Sequence, residues 1–211
     1  MDSEQRAAVA GALTTEHYVL QSAAGSAISE AGNRATSFIL AVSSSMVAIG
    51  FTVQNERVFW PFISAVLPLL FGLGLVTTIR LVETGLQGLM YQQAIARIRR
   101  YYRGLDNDHA VYFDKYSRHA DPADTTEALA MLASKQGPEI VSIATTAALI
   151  TSAIAGIGTA LLVVRIAGAD ALPVAYPVGA AVFVVLMIAF FRYERSRYRE
   201  VTGEPASGMS G

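Results

Sequence analysis

Cysteine is absent from the chain, which removes disulfides, thiolate nucleophiles and Cys-ligated metals from consideration. Other chemical signatures are missing too. There is no G-x-S-x-G elbow, no Walker loop and no H-E-x-x-H helix. The glycine pairs in GLGL (72–75) and GIGT (156–159) follow no strand, so they cradle no phosphate. The most informative scarcity is charge. Asp, Glu, Lys and Arg make up 16% of the 211 residues, and none of them falls within 35–53, 58–79, 140–164 or 172–191.

Each of those runs approaches or exceeds the roughly 20 residues a helix needs to cross hydrocarbon at about 1.5 Å per residue. They hold much of a hydrophobic content of 53%, and the mean hydropathy of +0.40 is too high for an ordinary water-soluble domain. Arginines stand at their edges, at positions 34, 57, 80, 165 and 192. The predicted fold class is therefore all-α: a polytopic membrane protein with four transmembrane helices in two hairpins and a helical cytoplasmic layer.

The expected organisation is a cytoplasmic N-terminal helix over 1–34, a first transmembrane hairpin over 35–79 and a cytoplasmic helical segment over 80–139. A second hairpin over 140–191 and a basic, then flexible, cytoplasmic tail over 192–211 complete it. Lys and Arg set the orientation. Of 16 in the chain, only Arg57 and Arg165 fall on the side of the two short turns. The positive-inside rule then places both termini and the middle segment in the cytoplasm, in a multi-pass protein of the plasma (inner) membrane. No cleavable signal is apparent, because acids at positions 2, 4, 16 and 30 interrupt the beginning of the chain.

Two basic sets face the inner membrane surface in this scheme: Arg97, Arg99, Arg100 and Arg103, and then Arg192, Arg195, Arg197 and Arg199. Anionic lipid headgroups explain them better than nucleic acid does, since the net charge is −1 and the positive charge is concentrated on one side. The stretches EHYVLQSAAGSAISEAGNRATSFILAVSSSMVAIGF (16–51) and AIARIRRYY (94–102) resemble segments of uncharacterised bacterial multi-pass membrane proteins. That resemblance implies a bilayer setting and brings no activity, cofactor or site residue.

Periodicity predicts that the N-terminal helix packs through Leu13, His17, Leu20, Ala24, Ile28 and Ala31, with Gly25 and Gly32 weakening it. The second span has no stop signal and should continue as helix to Gly104, with Leu86, Met90, Ala94, Ile98 and Tyr101 gathered on one face. Pro68 and Pro177 lie deep enough to kink their spans.

The polar stretch LDNDHAVYFDKYSRHADPAD (105–124) collects His109 and His119 with several aspartates, a composition suited to a divalent metal. Its spacing fits neither a calcium loop nor a helical zinc motif, so a solvated loop is expected and no metal or cofactor is assigned. In the third span Ala144, Ala148, Ser152, Gly156 and Ala160 recur every fourth residue, a ridge that lets another helix backbone come close. Packing inside the bundle is its first use and an oligomer seam its second. The expectation is a non-enzymatic membrane protein that forms a homo-oligomer and presents a cytoplasmic helical layer for partner binding or signal-dependent membrane effects. A small oligomeric channel or transporter is the alternative, lined by Ser142, Thr145, Thr146, Thr151, Ser152 and Thr159.

Overall fold

The computed structural model describes residues 3–104 and 143–202. They form α1 (Ser3–Thr52), α2 (Glu56–Arg103), α3 (Ile143–Ala167) and α4 (Leu172–Thr202), with a 3-10 turn at Ala169–Ala171. No strand occurs among the described residues. All four helices are long and apolar enough to cross a membrane, and the all-α architecture is compatible with a four-helix membrane protein.

Helix α1 has 50 residues and α2 has 48. At about 1.5 Å per residue each is more than 70 Å long, over twice the roughly 30 Å of a hydrocarbon core. The expected N-terminal helix and first span are thus one helix without a break near residue 34. Gly25 and Gly32 do not interrupt it, because the cost of about 1 kcal/mol per glycine is small beside the cooperativity of a helix this long. Helix α2 carries Pro61 and Pro68 internally. It ends where Gly104 N–H donates to the carbonyls of Arg100 (3.2 Å) and Tyr101 (3.1 Å). Helix α4 likewise passes from apolar to basic residues without ending, as far as Thr202.

Two compact units divide the chain, with boundaries inside the helices. The described parts of the first unit are 3–30, 83–104 and 199–202; those of the second are 31–82 and 143–198. In the first unit the Tyr102 hydroxyl donates to the Ala10 carbonyl at 3.1 Å and shares a hydrogen bond with Thr14 Oγ1 at 2.9 Å, tying α1 to the end of α2. Ala24 and Ala27 are buried on α1, while Ile28 points outward. Successive residues turn about 100°, which leaves Ala27 nearer than Ile28 to the stripe through Leu13, Leu20 and Ala24. On α2, Leu86, Leu89, Ile95, Ala96 and Ile98 are buried and Met90 is exposed. These positions wrap around most of the helix, so burial is not confined to the single predicted face.

In the second unit the interior is made of small and hydroxyl-bearing residues with a few large anchors. Phe38, Leu70, Thr77, Thr78, Ala147, Ala148, Thr151 and Ser152 are all buried. The outward positions hold the larger aliphatics, among them Leu40, Val47, Leu69, Val76, Leu162, Val185 and Ile188. Large apolar side chains thus lie outside as well as in, far more than a surface facing water ordinarily carries.

Both short turns are built by identifiable caps. Asn55 starts α2: its carbonyl accepts from Val58 and Phe59 N–H at 3.0 and 2.8 Å, and its Oδ1 accepts from Arg57 N–H at 3.2 Å. Glu56 in the first turn complements the positive end of the helix dipole. At the end of α3, Gly168 adopts φ +86° and its N–H donates to the Val164 carbonyl at 2.9 Å. A left-handed residue after a helix terminus is where glycine carries no Cβ penalty.

Candidate functional site

Close approach of helices dominates the second unit. A Cβ placed on Gly156 of α3 would lie 2.7 Å from the Gly179 carbonyl oxygen of α4, and one on Gly179 would lie 2.5 Å from the Gly156 carbonyl oxygen. The two backbones therefore touch at this crossing. A second convergence brings α1, α2 and α3 together. A methyl on Gly74 would overlap Thr151 Oγ1 and come within 2.9 Å of Phe38 Cζ. Of the small-residue ridge, Ala144, Ala148, Ser152 and Gly156 are buried within the chain and Ala160 is half-buried.

The candidate pore hydroxyls do not share one face. Thr145, Thr151 and Ser152 are buried, Thr146 is exposed and Thr159 is half-buried; Ser142 lies outside the described residues. Thr151 and Thr159 donate back to the carbonyls of Ala147 (2.7 Å) and Ala155 (2.8 Å) in their own helix. Such back-bonding satisfies the hydroxyl proton within its own helix.

The basic residues form separate sets. Arg97 and Arg100 are exposed on α2 and Arg99 is half-buried beside His17 of α1, with Arg103 closing the helix. On α4, Arg192, Arg195 and Arg199 are exposed and Arg197 is half-buried. Amid the α4 set, Glu194 is buried and Tyr198 follows one turn later. Burial, reinforced by the Glu194 carboxylate, raises the Tyr198 phenol above its ordinary pKa. Sequence reasoning missed Glu194, since an acid among four arginines reads as a solvated face. The stretch holding His109 and His119 lies outside the described residues. Among the described residues no group of three or more His, Asp or Glu is arranged to hold a metal ion.

His17 sits half-buried with its Nδ1 enclosed and without a hydrogen-bond partner. Burial, followed by the nearby Arg99 guanidinium, lowers its pKa below 6.5, so the neutral imidazole is favoured.

A groove that spacing could not reveal lies between α2 and α3, with a volume of about 430 Å³. Leu67, Phe71 and Leu162 help to line it, and Trp60 and Arg165 stand at one end. The Arg165 guanidinium lies 5.4 Å from the Trp60 ring centroid, and the Phe59 ring meets Trp60 edge-on at 5.3 Å. The aromatic pair stands in the first turns of α2, and Arg165 over the Trp60 ring adds a cation to it.

Comparison with protein-family models, with curated proteins and with solved structures finds no match to this chain.

Proposed function

We propose that the chain is a non-enzymatic integral membrane protein that self-assembles in the bacterial inner membrane and presents the polar extensions of α1 and α2 to cytoplasmic partners. The observation that carries this reading is the exposure of α1. Only 6% of its most apolar window is buried, against 28%, 33% and 17% for α2, α3 and α4. The uncovered side bears Thr36, Ser43 and Gly50, all exposed and spaced seven residues apart, which is one face of a helix. Hydrocarbon gives helices little hydrophobic reason to associate, so small residues and hydroxyls on an open face are the natural seam for a second copy. The arginines of α2 and α4 contact anionic headgroups, with both termini on the cytoplasmic side.

Light scattering on the detergent-solubilised full chain tests assembly. The expected protein mass is an integral multiple of 22.5 kDa greater than one. Replacing Ser43 and Gly50 together by leucine should shift it to the monomer, because neither position packs against the chain's own core. A wild-type monomer at every concentration would overturn the reading. Ion flux through liposomes containing the wild-type assembly would favour the channel alternative instead.

A further inference from the structure

We propose that the groove between α2 and α3 is a binding site for one anionic phospholipid, with an acyl chain lying along the groove and the phosphate at Arg165. The inference rests on the placement of this bundle in a bilayer and not on self-assembly.

The dimensions agree with such a ligand. From Trp60 to Phe71 on α2, and from Arg165 back to Ile154 on α3, the walls of the groove run eleven residues. At about 1.5 Å per residue that is about 16 Å, half the thickness of the hydrocarbon core, or the depth of a single leaflet. The groove therefore starts at one interface and ends near the midplane, as a lipid tail does.

Its chemistry agrees as well. The two hydroxyls on its walls are already satisfied: Ser64 Oγ donates to the Trp60 carbonyl at 2.7 Å and Thr159 Oγ1 to the Ala155 carbonyl at 2.8 Å. What remains facing the cavity is aliphatic and aromatic, unsuited to a polar substrate and suited to methylenes. Only the end of the groove is charged. Arg165 is exposed in the last turn of α3, where its cation also complements the helix dipole, and the Trp60 ring fixes its position. A guanidinium at headgroup depth above an apolar slot matches a phosphate followed by an acyl chain.

Native mass spectrometry of the full chain in detergent tests this, with dioleoyl phosphatidylglycerol and dioleoyl phosphatidylcholine titrated in parallel. The two lipids share their chains and differ in net charge. One equivalent of the anionic lipid should bind about tenfold more tightly than the zwitterionic one, as expected for a charge-assisted contact. Arg165→Gln should remove that preference, weakening phosphatidylglycerol far more than phosphatidylcholine, whose phosphate is offset by its own ammonium, and Arg57→Gln, at the other turn, should preserve it. Ala155→Phe, which fills the groove, should weaken both lipids. Gly158→Leu serves the same purpose if that variant does not fold, since a Cβ there makes only ordinary contact with Leu67 at 3.5 Å. Equal binding of the two lipids to the wild type would overturn the proposal, as would a preference that survives Arg165→Gln. Equal losses at Arg57 and Arg165 would assign the selectivity to diffuse surface charge and likewise overturn it. So would dissociation of an oligomer by the groove-filling variants with lipid occupancy unchanged, which would give the groove to a second copy.

Discussion

The two units of this chain differ in what they place on the outside, although α1 and α2 each belong to both. In the unit containing 83–104, Leu86, Leu89, Ile95 and Ile98 are inside and Arg97 and Arg100 are outside, as water demands. In the unit containing 31–82 and 143–198, Thr77, Thr78, Thr151, Ser152, Gly74 and Gly156 share the inside with Phe38, Ile63, Leu70 and Ile154, and Leu69, Leu162, Val185 and Ile188 face out. Helix α2 changes from one pattern to the other near Arg80 without any change in its backbone. The difference teaches that solvent, not secondary structure, decides which side chains a helix hides. Water rewards burial of large apolar groups. Hydrocarbon is indifferent to them and leaves close packing and hydrogen bonds to hold helices together.

The sharpest way to break the comparison is to place the same charge on an exposed apolar position in each unit. Val185 on α4 and Met90 on α2 are 63% and 54% exposed. Val185→Lys, toward the middle of a span, should cost about 2.5–3.5 kcal/mol in membrane insertion. Met90→Lys, in the extension we propose to lie outside the bilayer, should change stability by no more than about 0.5 kcal/mol. Membrane-extracted yield and thermal unfolding in detergent report both. Similar, small effects at the two positions would show that the outward faces meet the same solvent, and the membrane reading would fall.

A second contrast concerns glycine. Gly156 and Gly179 lie where two backbones touch, whereas Gly25 has no neighbouring heavy atom within 4 Å of an added Cβ. Gly156→Leu should destabilise by at least about 1–3 kcal/mol through overpacking, because the obstacle is a carbonyl that cannot swing aside. Gly25→Ala should stabilise α1 by about 0.5–1 kcal/mol, the ordinary gain in helix propensity. Thermal unfolding of the two variants should move in opposite directions.

How much of this was legible beforehand follows from what each feature depends on. The four long apolar helices rest on composition along the sequence, so runs without charge were enough to find them. The continuation of α2 to Gly104 needed only the absence of a stop. Burial on α2 needed more, because a helix enclosed on several sides shows no single stripe. The stripe on α1 was misplaced at Ile28 because apolarity was followed where angle should have been, and Ala27 lay closer to the axis. The cap at Asn55 has its signal in the sequence, an Asn directly before Glu56 at the start of an apolar run. Neither Glu194 nor the groove had any signal in spacing. One depends on which face of a charged helix turns inward, the other on the distance between helices.

The smallest expected effect lies in the water-type unit, at His17. Burial and Arg99 lower its pKa, so at pH values near 6.5 the folded chain binds fewer protons there than the unfolded chain does. Stability therefore rises with pH through that window. The contribution is complete above the unfolded value of about 6.5 and is lost as pH falls through 6.5 towards the lower folded value. Protonation would put a second positive charge beside Arg99 and an N–H where the enclosed Nδ1 has no hydrogen-bond partner. Thermal unfolding of wild type and His17→Gln, compared from about pH 5 to 8, isolates this group from the carboxylates titrating alongside it. The wild type should lose stability relative to the variant below pH 6.5 and run parallel to it above. No equivalent histidine exists among the described residues of the apolar unit, so the difference between the curves reports on the extensions alone. Curves that stay parallel throughout would mean that the imidazole is as well solvated folded as unfolded, and that the α1–α2 contact around Tyr102 does not enclose it.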